Sequence, residues 1–153
     1  MGRLTGPGHR GVDRSRRPPE ARVSFPNPVR HITFDAHNPY ALARFWSRLT
    51  GYPLEDSGPD DDEVLISPGQ PGVPGLLFLR VPDTKTVKNR VHLDIQPPSG
   101  TRDAEVERLI GLGASVVDDR RTDDGLGWVV MADIEGNEFC VERGAVERGA
   151  VSS

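Results

Sequence analysis

Two stretches of the chain alternate apolar and polar residues in the manner of half-buried strands. In the first, 30–36, three apolar residues share one face and three polar residues the other: Ile32, Phe34 and Ala36 against His31, Thr33 and Asp35. The second, 90–95, carries the related run His92-Leu93-Asp94-Ile95. A period of two residues predicts a strand with one face toward the core.

A helix is predicted directly after the first of these strands. Asn38 is a good N-cap, and Pro39 suits the first helical position. Apolar residues then recur at helical spacing as far as Leu49, and Gly51 ends the pattern. A second helix is predicted over 101–112, with Gly113 ending it.

The two halves of the chain repeat one plan. Short strands are predicted at 52–55, 64–67 and 75–81 in the first half, and at 115–118, 127–132 and 138–142 in the second. Placing His31 on His92 brings Gly51 within a residue of Gly113. The expected fold class is therefore α/β (α+β), with two βαβββ modules that form a cup-shaped, eight-stranded mixed sheet. Polar strand faces would line this cup, and the helices would lie outside it.

Both ends of the chain look different from the middle. Residues 1–27 are rich in Arg, Pro and Gly and lack hydrophobic periodicity, so they are predicted to be a disordered tail, with an arginine-rich docking arm as the alternative. The folded domain is expected over 28–143, with modules at about 28–82 and 88–143. Residues 144–153, which repeat Val-Glu-Arg-Gly-Ala, are predicted to be a flexible tail.

Composition narrows the choice of compartment and partner. The net charge of −4 speaks against nucleic acid as a partner, since phosphates favour a basic surface. Cys140 is the only cysteine, so no intrachain disulfide can form, and a reducing cytoplasm is the expected compartment. No apolar run approaches the roughly 20 residues that span a bilayer, so no membrane partner is expected.

The order of these motifs resembles the vicinal-oxygen-chelate (VOC) superfamily, in particular its glyoxalase-like and bleomycin-resistance-like proteins. The similar segments are the strand, helix and turn from His31 to Tyr52, the run Lys88–Asp94, and the run Trp128–Val141. The resemblance covers roughly Pro28 to Arg143. It implies either a metal-dependent enzyme or a metal-free protein that binds small molecules, and it also implies a homodimer. Fold alone does not decide between these functions.

The resemblance also implies where a metal would be bound. Its ligand positions fall on His31, Leu79, His92 and Cys140, and imidazole and thiolate ligands would suit Zn, Ni, Fe or Mn. Leu79 cannot ligate, and neither glutamate of classical glyoxalase I is present, so that activity is disfavoured. Glu138 and Glu142 lie on the same strand face as Cys140, so a carboxylate from one of them could replace a missing ligand, and Glu138 is the first to test.

The predicted ligand-binding cup comprises His31, Thr33, Asp35, His92, Asp94, Trp128 and Cys140. Asp35, Asp94 and Glu138 are candidate acids or bases, although the two aspartates could instead pair with Arg80 or Arg90. Cys140 could be a nucleophile or a small buried hydrophobe. Trp128 could stack on a flat ligand or pack in the core.

Three functions follow, in order of preference. The first is a module that binds a small organic molecule in the cup without a complete metal site. The second is a metal-dependent lyase, isomerase or dioxygenase that uses His31 and His92 as ligands and polarises substrate oxygens. The third is an interaction scaffold, for which the arginine-rich tail is the only support.

Overall fold

A computed structural model describes residues 27–149, and within them the two strand–helix–strand units appear in the predicted order. The elements are β1 (His31–Ala36), α1 (Pro39–Thr50), β2 (Glu63–Ile66), β3 (Gly75–Arg80), β4 (Asp94–Ile95), α2 (Arg102–Gly111), β5 (Ser115–Asp119), β6 (Val129–Ala132), β7 (Glu138–Val141) and α3 (Ala145–Gly149). The predicted disordered tail falls outside the described residues except for residue 27.

Both long helices begin and end as predicted. The Asn38 side chain accepts a hydrogen bond from the backbone N–H of Ala41 at 3.0 Å, and Gly51 closes α1 with a left-handed φ of 76°. Thr101 caps α2 in the same way by accepting from the N–H of Ala104. None of the helices in the described part of the chain is long and apolar enough to cross a membrane.

The strands form two mixed sheets. The first has the order β1-β3-β2 and the second β4-β7-β6-β5; in both, the first and last strands of the module run parallel and the others antiparallel. This confirms the predicted mixed α+β fold. Seven strands replace the expected eight among the described residues, because the segment predicted at 52–55 makes a single bridge, Leu54 to Ile66. The strand predicted over 90–95 is regular only at β4.

One hydrophobic core joins the two modules. Its largest fully buried side chains are Trp46, Phe78, Phe139, Leu42, Ile66, Leu109 and Met131. Trp46 lies 5.2 Å from Phe34 of its own module and 5.3 Å from Phe139 of the other, measured between ring centroids. Aromatic pairs at this spacing add to the stabilisation from apolar burial.

Hydrogen bonds tie α1 to the turn between β6 and β7. The indole Nε1 of Trp46 donates to the buried carboxylate of Asp133 at 3.0 Å. The carboxylate of Glu135, in the same turn, accepts from the backbone N–H groups of His37 and Asn38, both at 2.7 Å, just before the helix. The first module therefore depends on a turn of the second for its polar groups.

A short helix lies in the segment predicted to be a flexible tail: 145–149 form α3, none of whose residues is buried. The Glu147 carboxylate accepts from the N–H groups of Arg102 and Gly144, both at 2.7 Å. A carboxylate at the start of α2 is favoured by the helix dipole, so this contact attaches α3 to α2. Residues 150–153 of the predicted tail lie outside the described part of the chain.

Replacing Asp133 by alanine is expected to lower the free energy of unfolding by about 2–3 kcal/mol, because the buried Trp46 indole N–H loses its charged acceptor. Urea denaturation followed by circular dichroism measures this change. Asp123→Ala, at an exposed position of the β5–β6 loop, is the matched control and should leave the midpoint unchanged. Equal effects of the two substitutions would contradict the role assigned to Asp133.

Candidate functional site

A row of side chains crosses the second sheet on the face turned away from the core. Asp94 lies opposite Cys140, Cys140 opposite Val130, and Val130 opposite Asp118. The neighbours of these residues along β6 and β7 are fully buried in the core. Since successive side chains of a strand point to opposite faces, this row lies on the outer, concave face.

A cavity of about 420 Å³ opens on this face. Its lining includes four of the predicted cup residues, His92, Asp94, Trp128 and Cys140. It also includes five residues outside the predicted cup: Lys88, Asp118, Arg120, Val130 and Glu142. Alternation along the predicted strands carries enough information to find Val130 and Glu142, two residues from Trp128 and Cys140. Lys88 was not recoverable in this way, because it lies in an irregular connection.

Trp128 is the exposed aromatic side chain of this cavity. It precedes β6, and 46% of its surface is accessible, whereas Val130 and Cys140 beside it are both 8% accessible. Of the two alternatives for Trp128, the core position is therefore excluded. Its indole forms one wall, and Val130 and Cys140 form an apolar floor.

The thiol of Cys140 is held in its protonated form. Its Sγ lies 4.0 Å from Nδ1 of His92. Burial, followed by the hydrogen-bonding carboxylate of Asp94, raises the pKa of this thiol to about 11. A thiolate is the reactive form of cysteine, so this environment disfavours the nucleophile role for Cys140.

The remaining predicted cup residues lie on the other sheet. On β1, Thr33 and Asp35 are exposed and lie opposite Leu77 and Leu79 of β3, while His31 lies opposite Gly75. The predicted single cup is thus divided, within the described residues, between two sheet faces. The alternative pairing of Asp35 with Arg80 does not form, because the Arg80 guanidinium is bound to Asp62 at 2.6 Å.

A second cavity, of about 450 Å³, lies between the edge of β1 and the connection 81–91. Thr33, Asp35 and Glu138 line it. The Glu138 carboxylate is already engaged there: it accepts from the Asn89 N–H at 2.9 Å and pairs with the Lys85 ammonium at 3.0 Å. Burial alone would raise the pKa of Glu138, but these two donors outweigh it and lower the pKa. Glu138 therefore holds the connection 81–91 against β7 and is not free to act as an acid or a metal ligand.

The strand registers correct the proposed equivalence of the metal positions. Asp94 pairs with Cys140, and Asp35 pairs with Leu79, so a match of Leu79 with Cys140 sets Thr33 rather than His31 in the place of His92. His31 lies four residues before Asp35, roughly 13 Å along the strand. His31 and Leu79 are therefore not neighbours.

The side chains present do not fit a metal site within one chain. Among residues 27–149, no group of three or more His, Cys, Asp or Glu side chains is placed to hold a metal ion. His92 and Cys140 are close to each other, but His31 lies on the other sheet and Leu79 offers no donor atom. A Zn, Ni, Fe or Mn site would need at least one further protein ligand.

Comparison with known proteins places this geometry in a family context. A family model for a glyoxalase-like domain matches residues 31–142. A search of curated protein sequences finds no match.

Three solved structures of similar fold illustrate the range of relatives. A glyoxalase/bleomycin resistance/dioxygenase family enzyme from Burkholderia phytofirmans PsJN has a TM-score of 0.56 and 16% identity, covering 75% of this chain and 97% of its own. The fosfomycin resistance protein FosX from Mesorhizobium loti has a TM-score of 0.58 and 16% identity, covering 80% and 96%. A lactoylglutathione lyase from Agrobacterium tumefaciens has a TM-score of 0.52 and 17% identity, covering 81% and 98%.

Alkylation of Cys140 by iodoacetamide is expected to be slow at neutral pH and to keep accelerating through about pH 10, since an ordinary thiol has a pKa near 8.5 and this one is raised to about 11. Mass spectrometry of briefly exposed protein gives the rate at each pH. In Asp94→Asn the rise should begin at lower pH, because the neighbouring negative charge is removed. A rate that levels off near pH 8.5 in the unmodified chain would refute the protonated thiol.

Proposed function

Because this chain belongs to the glyoxalase-like domain family of the VOC superfamily, we propose that it binds a small, flat organic molecule in the cavity of its second sheet, without a bound metal. The observation that carries the proposal is the half-exposed indole of Trp128 above an apolar floor. An aromatic side chain left open to solvent beside a cavity offers a stacking surface.

The rest of the cavity suits such a ligand. Its volume of about 420 Å³ lies in the range typical of small-molecule pockets. The polar groups of Lys88, His92 and Asp94 lie along its rim and would orient a ligand through hydrogen bonds. A few polar groups around an apolar floor are the usual composition of a specific binding site.

A metal-dependent reaction is less well supported by the donor set. The described residues hold no group of three His, Cys, Asp or Glu side chains placed to bind a metal, and His92 has only Cys140 beside it as a potential ligand. The solved relatives include a resistance protein as well as a lyase. Their shared fold therefore does not favour catalysis over binding.

A second copy of the chain completes the cup. Within residues 27–149, β1 and β4 are edge strands, each paired on one side only. Gly75 donates to the carbonyl of Arg30 and Val81 to that of Ala36, so alternate residues of β1 face β3 and the backbone of Thr33 faces outward. Unpaired edges of this kind favour pairing with another chain, which supports a homodimer with continuous sheets.

Trp128→Ala is expected to weaken ligand binding about fivefold, because the stacking contribution of an aromatic ring is near 1 kcal/mol. A thermal-shift screen of flat aromatic compounds measures this loss of affinity, since a ligand that binds the native state raises the apparent stability of the protein. Ile134→Ala removes an exposed apolar side chain outside the cavity and is the control. Hits that stabilise both variants equally would count against the Trp128 site.

The metal content of the purified protein tests whether binding is independent of metal. Mass spectrometry can count the transition metal bound per chain in untagged protein purified without chelator, alongside His31→Ala and His92→Ala. Near-stoichiometric metal that is lost in both variants would overturn the metal-independent proposal in favour of a metalloenzyme.

Thr33→Pro is expected to weaken dimer formation while leaving the chain folded, because proline removes an N–H that points away from β3. Sedimentation velocity over a dilution series gives the dissociation constant. Thr33→Ala removes the side chain but keeps the N–H, so it should remain dimeric. A monomeric unmodified chain, or a proline variant that dimerises normally, would rule out pairing through this edge.

A further inference from the structure

The side chain of Trp128 is held in place by its backbone more than by its neighbours. With 46% of its surface accessible, it lacks the surrounding contacts that fix a core residue. It is the last residue of the loop that joins β5 to β6, residues 120–128. Whatever fixes this loop therefore sets the position of the indole in the cavity.

A buried arginine reaches this loop from the first turn of α2. Arg102 is only 4% accessible. Its Nη1 donates to the carbonyls of Leu126 at 2.8 Å and Gly127 at 2.9 Å, the two residues immediately before Trp128. Its Nε donates to Asp103 at 2.9 Å, and this bond lowers the pKa of the Asp103 carboxyl.

The two ends of the loop are also bonded to each other. The Arg120 N–H donates to the Trp128 carbonyl at 3.0 Å. Gly127 adopts a φ of +81°, and a Cβ there would lie 1.9 Å from the Arg120 carbonyl oxygen, so the two ends of the loop approach too closely for any other residue. The backbone before Trp128 thus lies between Arg120 and the Arg102 guanidinium.

We infer that Arg102 is a positioning residue for the binding cavity: its guanidinium fixes two consecutive carbonyls and thereby sets where the Trp128 indole stands. Arg102 does not line the cavity and would not touch the ligand. The inference rests on the proposed role of Trp128 in binding. A planar guanidinium carries five donors in a rigid fork, which a lysine ammonium cannot reproduce, so the role is specific to arginine.

The chain offers a matched control on the same helix. Arg108 also donates to two consecutive backbone carbonyls, those of Arg48 at 3.2 Å and Leu49 at 3.4 Å. It lies far from Trp128 in the fold, against the end of α1. Arg108→Gln therefore removes a comparable arginine–carbonyl contact without touching the loop 120–128.

Fluorine NMR of protein labelled with 5-fluorotryptophan tests the inference without any ligand. The chain has two tryptophans, so two resonances are expected, and Trp128→Phe assigns them. In Arg102→Gln the Trp128 resonance should shift and broaden, while that of the buried Trp46 stays in place and reports an intact core. Arg102→Lys should give a smaller change in the same direction, and Arg108→Gln should leave the Trp128 resonance unchanged.

The outcomes separate the inference from the proposed function. An unshifted, equally sharp Trp128 resonance in Arg102→Gln would overturn the positioning role, whatever the cavity binds. If Arg102→Gln does not fold, the position and width of the Trp128 resonance in Arg102→Lys decide whether Arg102 has the positioning role. A Trp128 resonance that moves as expected, in a protein that no flat aromatic compound stabilises, would support the positioning role and refute the proposed ligand class instead.

Discussion

The contact between Trp46 and Asp133 holds the two halves of the molecule together. The indole ring packs against aromatic side chains of both modules, and its N–H is satisfied by a carboxylate buried under the turn after β6. A buried donor without an acceptor would cost more than the bond itself contributes. Because Glu135 of the same turn binds the start of α1, the first module takes acceptors for its N–H groups from the second at two places.

This shared core leaves the outer sheet faces free for other purposes. The helices and the turn after β6 occupy the inner side, so the residues that alternate outward can be polar, charged or aromatic without loss of stability. Trp128, Asp94 and His92 are examples. The chemistry of the cavity can vary while the fold is preserved, which is consistent with relatives that share the architecture at 16–17% identity.

Local sequence signals were sufficient for most of the elements. Asn38, Pro39 and Gly51 specify α1 through their own backbone preferences, and the alternation of 31–36 specifies β1. The candidate site was harder to predict, because it depends on which residues face one another across strands. Matching the two histidines by sequence set His31 against His92, whereas hydrogen bonding sets Asp35 and Asp94 in corresponding places. Alternation cannot detect a shift of two residues, since every side chain keeps its face.

The docking of α3 also bears on where the domain ends. The family match stops at residue 142, but Glu147 supplies the negative charge that the first turn of α2 receives from outside the helix. A fragment that ends at the family boundary would leave the backbone N–H of Arg102 without this acceptor. The side chain of the same residue binds the carbonyls of the loop before Trp128. A fragment that keeps these contacts therefore extends beyond the matched residues 31–142, and a fusion partner is better placed after α3 than directly after β7.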